Sequence, residues 1–261
     1  MRSRWTNPVG LKVWSINLDY RDSIARIIAA DACDYIELYT VPGTPVADLD
    51  FWRQFSIPYI IHAPTTQHDL NPAIPDRLKD NLALFEESRS FFDALQAEYL
   101  IVHPGMGGSM EAATEFLSRV AFDKILVENK PFRSLDDRIC IGCTPEQIDR
   151  LMKECGIGFC LDFGHAVKAA YSLNRSAWDI LEEFNRLNPR VYHLSDGWMN
   201  SEMDEHLNLG EGDFDIPRLV HLLNPTMGLT LETSKPGPDF ADQFIKESGG
   251  VRALMPKRRV E

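Results

Sequence analysis

The chain has 261 residues, of which 44% are hydrophobic and 25% charged, a balance typical of a soluble globular protein. We predict one domain over residues 1–261, since this length buries enough surface for a stable core. No apolar run approaches the roughly 18 residues that span a bilayer, so we expect no membrane association. The net charge of -12 opposes general nucleic-acid affinity, although bound divalent ions would offset several carboxylates.

The N-terminal stretch and the cysteines indicate a reducing compartment. Met1–Gly10 is basic and polar and has no apolar segment behind it, unlike a secretory signal. The five cysteines are odd in number and scattered, which argues against a disulfide framework. We therefore expect a cytoplasmic protein. Cys140 and Cys143 form a lone CxxC pair, which is weak evidence for zinc or redox chemistry and also fits two loop cysteines.

Short apolar runs alternate with segments of helical spacing along the chain. The predicted strands are Leu11–Ile16, Tyr35–Tyr39, Tyr59–Pro64, Tyr99–Gly105, Lys124–Asn129, Gly158–Leu161, Val191–Leu194 and Leu229–Glu232. The predicted helices are Asp22–Ala30, Leu49–Phe55, Arg77–Ala97, Met110–Val120, Pro145–Cys155, Ala177–Leu187, Ile216–Leu223 and Asp239–Glu247. We expect Asp162 and His165 to lie where the sixth strand gives way to a loop, and a long polar loop, Ser195–Asp213, to follow the seventh. Thr144 is expected to cap the fifth helix, with Gln147 completing a capping box.

Eight strands alternating with eight helices in about 250 residues is the pattern of an α/β fold, a single (β/α)8 TIM barrel. A doubly wound open sheet is the structural alternative. The sequence shows no linker and no low-complexity segment, and only the βα unit repeats.

Acidic residues and histidines recur at the strand ends, which a barrel brings together on one face. They are Glu37, His62, His103, Glu128, Asp162, His193 and Glu232, with His165 after the sixth strand and Asp204 and His206 after the seventh. Taken singly, each histidine fits a hydrogen-bonded structural residue. Buried carboxylates such as Glu128 and Glu232 need a charge partner, and no arginine lies in these segments. Their convergence indicates a metal centre, because mixed imidazole and carboxylate ligands suit Zn²⁺, Mn²⁺ or Fe²⁺, and this number suits two or three ions.

Seven ordered segments stand out as a set. They are Ile61–Pro64, Val102–Gly105, Val127–Asn129, Cys160–Asp162 with His165–Ala166, Tyr192–Asp196, Asp204–His206 with Asn208–Gly212, and Leu231–Thr233. This set resembles the motifs of the endonuclease IV family (AP endonuclease family 2), which belongs to the xylose isomerase-like TIM barrels. Each motif alone is weak, but the ordered set is specific and covers nearly the whole chain.

The resemblance implies a zinc centre of two or three ions. It implies the ligand sets His62, His103 and Glu128; Glu128, Asp162, His193 and Glu232; and His165, Asp204 and His206. In that family the ions activate a hydroxide and clamp a phosphodiester beside an abasic site. Glu128 and Glu232 would orient the nucleophilic water. Asp204–His206 is diagnostic, because the sugar isomerases and epimerases of the superfamily generally resemble this chain only at the second set, which binds one ion.

The loops after the second and third strands depart from the DNA-repair pattern. Members that act on DNA carry a basic and aromatic pair there, which pushes into the duplex. Here the loops read Thr40–Thr44 and Thr65–His68, and neither supplies an arginine or tyrosine. This departure weighs against duplex DNA but leaves the metal site intact. Positive residues that could face a phosphate, or be solvated surface charges, are Lys130, Arg133, Arg138, Lys168 and Lys235.

The resulting hypothesis is a metal-dependent phosphoesterase that resembles endonuclease IV, with Zn²⁺ as the metal and abasic-site DNA as the partner. The alternative is a sugar isomerase or epimerase that acts on a small sugar or sugar phosphate with one Mn²⁺ or Mg²⁺. There Glu128 and Glu232 would shuttle a proton between adjacent carbons. A third hypothesis is a barrel that binds a metal or sugar without turnover.

Overall fold

The computed structural model describes residues 7–256, and its centre is a closed barrel of eight parallel strands. In chain order around the barrel these are β1 (Val9–Trp14), β2 (Tyr35–Tyr39), β3 (Tyr59–His62), β4 (Leu100–Val102), β5 (Ile125–Glu128), β6 (Gly158–Asp162), β7 (Val191–Leu194) and β8 (Gly228–Leu231). β8 pairs with β1, which places Leu231 opposite Leu11. This pairing closes the sheet, so the TIM barrel is confirmed and the open doubly wound sheet is wrong.

The barrel interior is layered by the period-two alternation of its strands. An apolar layer contains Tyr35, Ile60, Ile101, Leu126, Cys160 and Val191. Two residues further along the same segments stand Glu37, His62, His103, Glu128, Asp162 and His193. Because side chains two apart on a strand point to the same face, the second group forms a polar layer above the first. The fold therefore presents all six groups towards the carboxyl ends of the strands.

Nine α-helices lie among the described residues. They are α1 (Arg21–Ala29), α2 (Leu49–Arg53), α3 (Leu78–Leu95), α4 (Met110–Val120), α5 (Pro145–Cys155), α6 (Phe163–Ser172), α7 (Ala177–Asn185), α8 (Ile216–His221) and α9 (Ala241–Leu254). The main apolar core lies between these helices and the outer face of the barrel. It contains large, fully buried side chains such as Trp52, Phe85 and Phe116.

The prediction that a loop follows the sixth strand is wrong, because α6 begins directly at Phe163. Asp162 caps this helix, and its Oδ1 accepts a hydrogen bond from the backbone N–H of His165 at 2.7 Å. Residues 163–170 are all buried, so the segment lacks the polar face by which a surface helix is recognised. The helix places His165 over the barrel one turn after Asp162.

Two other helix predictions need correction. α9 continues to Leu254, beyond the predicted end at Glu247, because Val251 and Arg252 are buried and their packing outweighs the low helix propensity of the two preceding glycines. Thr144 caps α5 as expected, but the side chain of Gln147 accepts from the backbone N–H groups of Gly142 and Cys143. Gln147 thus holds the preceding turn rather than completing a capping box.

Within residues 7–256, no helix combines the length and apolar composition that crossing a membrane requires. The prediction that Met1–Gly10 is not a secretory signal concerns residues that lie mainly outside the described range.

Candidate metal centre

A cavity of about 1210 Å³ opens at the carboxyl ends of the strands. Its lining includes parts of the β5–α5, β7–α8 and β8–α9 loops and seven of the nine proposed ligands. The seven are His62, His103, Glu128, His165, Asp204, His206 and Glu232, and the other two, Asp162 and His193, are buried. The structure therefore brings the residues singled out from the sequence to one site.

Glu128 lies at the centre of the first group. The residue is 1% exposed, and its Oε2 lies 3.0 Å from His62 Nε2. Its Oε1 lies 3.2 Å from His103 Nε2 and 3.1 Å from His165 Nδ1. The last residue of β5 thus meets imidazoles from β3, the β4 exit and α6. This places one carboxylate between two clusters of nitrogen ligands.

The second group surrounds His193, which β7 presents into the barrel. Its fully buried Nδ1 lies 2.6 Å from Glu232 Oε1, 3.5 Å from Glu128 Oε2 and 3.8 Å from Asp162 Oδ2. This nitrogen makes no hydrogen bond of acceptable geometry. Three carboxylates therefore converge on an imidazole nitrogen that has no hydrogen bond. This arrangement suits a cation bound by the nitrogen and the carboxylates together.

The third group joins α6 to the loop between β7 and α8. Asp204 Oδ2 lies 3.0 Å from His165 Nε2 and 2.9 Å from His206 Nε2. His206 adopts a left-handed backbone conformation with φ 49°. These three side chains place a carboxylate between two imidazoles at the edge of the cavity.

The donor chemistry of these groups fits a metal. Ligands of a tetrahedral zinc ion at about 2 Å lie about 3.3 Å from one another, close to the separations seen here. A ligating histidine usually directs its second nitrogen to a carbonyl or carboxylate, and four histidines do so. The pairs are His62 with the Ala63 carbonyl, His165 with the Asn129 carbonyl, His193 with the Glu37 carboxylate and His206 with the Glu232 carbonyl.

Charges within the centre shift several pKa values. Burial alone would raise the pKa of Glu128, but His103 and His193 outweigh it and hold the pKa well below its usual range. Burial opposes charge on His165, but mainly Asp162 and then Asp204 raise its pKa to about 10. Without a metal, Glu128 and His165 therefore carry charge, so an incoming cation has to displace the proton of His165. Burial, by contrast, lowers the pKa of His103 well below its usual range, and that imidazole is neutral.

Lys12 was not predicted as a site residue, and Glu37 was predicted at the end of its strand. Glu37 stands in the middle of β2, not at its end, where its Oε2 accepts from Thr230 Oγ1 at 2.6 Å and lies 2.9 Å from His193 Nε2. The ammonium group of Lys12, on β1, contacts both Glu37 and Glu232. Burial opposes this charge, but the two carboxylates hold the pKa of Lys12 well above its usual range. Lys12 thus supplies the charge partner of Glu232 for which no arginine was found. In the sequence it was recognisable as a single lysine within the apolar run of β1.

Aromatic side chains form one wall of the cavity, although the loops after β2 and β3 supply no arginine or tyrosine. The ring of Trp14, at the end of β1, lies 5.4 Å from that of Tyr39, at the end of β2. Tyr39 Oη lies 2.8 Å from Nδ1 of His68, whose ring meets Trp14 edge-on at 5.7 Å. Strand ends thus provide the aromatic surface that the loop sequences lack.

The predicted phosphate-facing cations have different surroundings. Lys130 and Lys235 line the cavity, as do Arg133 and Arg138. Arg133 pairs with Asp137 at 2.9 Å and Arg138 pairs with Asp136 at 2.6 Å, so the two arginines are neutralised within their own loop. Burial lowers the pKa of Lys235 to about 8.

Lys168 is neither a surface charge nor a cavity residue. It is 1% exposed and pairs with Glu205.

The two CxxC cysteines, Cys140 and Cys143, are buried free thiols. Burial raises the pKa of both thiols, that of Cys143 to about 11. Within residues 7–256 neither belongs to a group of three or more close potential metal ligands.

Sequence comparison identifies related proteins. The profile of the family described as xylose isomerase-like TIM barrel matches residues 28–247. A probable endonuclease 4 from Pediococcus pentosaceus is 26% identical over an alignment of 185 residues that covers 63% of this chain and 61% of that protein. An uncharacterised protein from Methanocaldococcus jannaschii is 25% identical over an alignment of 193 residues that covers 65% of this chain and 61% of that protein. The aligned part thus spans about three fifths of each relative.

Solved structures share the fold over nearly the whole chain. A D-tagatose 3-epimerase-like protein superposes with a TM-score of 0.72 at 18% identity, covering 95% of this chain and 96% of the other. Endonuclease IV from Thermus thermophilus superposes with a TM-score of 0.71 at 20% identity, covering 95% and 98%. At these identities the likeness concerns the fold alone, and it includes both an endonuclease IV and an epimerase-like protein.

Proposed function

This chain belongs to the xylose isomerase-like TIM barrel family, and we propose that it is a zinc-dependent phosphoesterase of the endonuclease IV type that cleaves DNA at abasic sites. The observation that carries the proposal is the third group, in which Asp204 lies within 3.0 Å of two imidazoles, those of His165 and His206. An enzyme that needs only one ion in the barrel has no use for a second imidazole–carboxylate cluster at the cavity edge.

The proposed ligands form three sets around Glu128. They are His62, His103 and Glu128 for the first ion, Glu128, Asp162, His193 and Glu232 for the second, and His165, Asp204 and His206 for the third. The separations within the sets support this assignment, as does the position of Glu128 between the first two. Bound zinc supplies a hydroxide near neutral pH and positive charge for the phosphodiester oxygens.

Glu128 and Glu232 are the proposed catalytic residues. Both carboxylates have a depressed pKa, against burial that raises it: His103 and His193 lower that of Glu128, and His193 and Lys12 lower that of Glu232. Each can therefore orient an attacking water by accepting its hydrogen bond. Lys12 holds one oxygen of Glu232 and fixes the direction of that carboxylate.

Cations at the cavity mouth support an anionic substrate despite the net charge of -12. Lys130 and Lys235 line the cavity from opposite loops, after β5 and β8. The rings of Trp14 and Tyr39, which line the cavity, offer a stacking surface for a base or sugar exposed beside an abasic site. A local basic and aromatic mouth can bind the lesion without a large basic face on the rest of the molecule.

A sugar isomerase or epimerase with one Mn²⁺ or Mg²⁺ is the second candidate. It is supported by the convergence of three carboxylates, those of Glu128, Asp162 and Glu232, on His193, because these four groups by themselves would hold a single ion. In that function Glu128 and Glu232 exchange a proton with adjacent substrate carbons.

Metal stoichiometry distinguishes the two candidates. Protein dialysed against buffered zinc and analysed by inductively coupled plasma mass spectrometry is expected to hold about three ions per chain, and the Asp204→Ala variant about two. A wild-type value near one ion, unchanged in the variant, would contradict the phosphoesterase and favour the isomerase.

A further inference from the structure

A buried ion pair joins α6 to the loop that carries the third ligand group. Lys168 lies one helical turn after His165, and its Nζ lies 2.6 Å from Glu205 Oε2. The same ammonium donates to the carbonyl of Trp198 at 2.7 Å and lies 5.3 Å from the centre of the Phe214 ring. Lys168 is 1% exposed, so its charge is neutralised by the loop and not by solvent.

Glu205 stands between the two loop residues of the third group. Asp204 and His206 direct their side chains to His165 and the cavity, whereas the side chain of Glu205 points to Lys168. The alternation resembles that of a strand, although residues 198–206 belong to no helix or strand. One face of this short segment therefore carries ligands, and the other face carries the anchor.

The space around the anchor is tightly packed. A Cβ atom added to Gly197 would lie 2.8 Å from Glu205 Oε2, 3.0 Å from Phe214 Cζ and 3.3 Å from Lys168 Nζ. The carboxylate of Glu205 therefore packs closely against Gly197, which restricts its movement on this side. The backbone on either side of Glu205 is fixed at the same time, and it bears Asp204 and His206.

We propose that Lys168 and Glu205 are positioning residues for the third zinc ion, and that their ion pair decides whether this ion binds. The inference rests on the proposed three-ion function. His165 and Lys168 share one face of α6, so the helix supplies a ligand directly and positions the other two through Glu205. The first and second ligand sets lie on the barrel strands and the α6 start and do not depend on this loop.

The test compares Lys168→Met and Glu205→Gln with a matched control. Arg252→Met also breaks a buried ion pair, to Asp34 at 2.7 Å, but near the start of β1 at the opposite end of the barrel. Zinc binding is measured by dialysis against buffered zinc, since outer-sphere partners typically change metal affinity about 10–100-fold. Both test variants are expected to bind the third ion about 10–100-fold more weakly and to keep the other two. The control is expected to keep all three.

A second readout needs no metal. Hydrogen–deuterium exchange of residues 198–206 in chelator-treated protein is expected to be faster in both test variants than in wild type, and unchanged in Arg252→Met. Glu205→Gln keeps the shape of the side chain and serves if Lys168→Met fails to fold. Unchanged third-ion affinity in a folded test variant would overturn the inference. A wild-type protein with one ion would overturn the proposed function, and unchanged exchange in the test variants would overturn the anchoring role separately.

Discussion

Glu128 is the residue on which the geometry of the centre depends. Its carboxylate is surrounded by imidazoles, with His62 and His193 near Oε2 and His103 and His165 near Oε1. A single carboxylate can therefore belong to two ligand sets. Its pKa is held well below the usual range, against burial, because His103 and His193 favour its charge.

Two histidines of the third group make the metal-free protein less stable as pH rises. Mainly Asp162, against burial, raises the pKa of His165 to about 10, and Asp204 raises that of His206 to about 9. The folded protein thus holds these protons more tightly than the unfolded chain, where the pKa is about 6.5. The resulting stabilisation is complete below about pH 6.5 and is lost as pH rises through about 9 to 10.

Thermal unfolding of chelator-treated protein between about pH 6 and pH 10 checks this expectation. The wild-type melting temperature is expected to fall through that window relative to Asp204→Asn, which lacks the carboxylate that raises both pKa values. A difference between the two proteins that stays constant with pH would contradict it.

At this scale the sequence predicted which residues meet but not all their partners. The strand-end acids and histidines follow from period-two alternation and barrel geometry, which hold for any such barrel. The contacts of Lys12 with Glu37 and Glu232 join residues up to 220 positions apart. Pattern along the chain carries no information on such a pairing, because it depends on the strand register around the closed barrel.

The carboxylate of Asp196 organises the base of the loop between β7 and α8. Asp196 accepts hydrogen bonds from four backbone N–H groups: those of Gly197 at 2.8 Å, Gly210 at 2.8 Å, Gly212 at 3.1 Å and Phe214 at 3.2 Å. The loop was predicted correctly as a long polar segment, but its internal order depends on these contacts. Asp196 and the Lys168–Glu205 pair fix the segment at its base and its middle.

Removing the Asp196 carboxylate is expected to loosen the loop in two steps. Asp196→Asn keeps Oδ1 and its two acceptor bonds, whereas Asp196→Ala loses all four, and a bond to a charged group contributes about 1.5–3 kcal/mol. Hydrogen exchange of residues 197–214 is expected to increase from wild type to Asn to Ala, with the third zinc ion lost in the Ala variant. Equal exchange in all three proteins would contradict this order.

Helices and strands were predicted correctly where burial of one face leaves a hydrophobic pattern in the sequence. They were missed where burial on all sides leaves no such pattern. The bounds of β2, β7 and α4 match the prediction, because α4 has a clear helical period and the two strands are short, mostly apolar runs. α6 was missed because it is buried on nearly every side, so its sequence shows no polar face.

The proposed metal centre brings together elements from most of the barrel. The ligands come from β3, β5, β6, β7, α6, the segment after β4 and the two last βα loops, so bound ions would link parts of the chain far apart in sequence. The order of eight strands was predictable from the alternation of elements, whereas the choice among substrates was not. That choice depends on the cavity mouth, where Trp14, Tyr39, Lys130 and Lys235 come from four separate segments.

Zinc is expected to stabilise the whole fold. An ion present at 100 times its dissociation constant adds about 2.7 kcal/mol to the free energy of unfolding. In a chain of this length each such ion raises the melting temperature by about 5–10 °C. Differential scanning fluorimetry with buffered zinc measures the shift, and Asp162→Ala, which lacks one ligand of the second ion, is expected to show a smaller one. An equal shift in both proteins would contradict the assigned ligands.

The most direct test of the central claim is incision of a DNA duplex that carries one abasic site by zinc-loaded protein. Cleavage of the phosphodiester 5′ to the lesion is expected, with none at the same position in an intact duplex and none by Asp162→Ala. Failure to cleave, by protein shown to hold about three zinc ions, would contradict an abasic-site endonuclease.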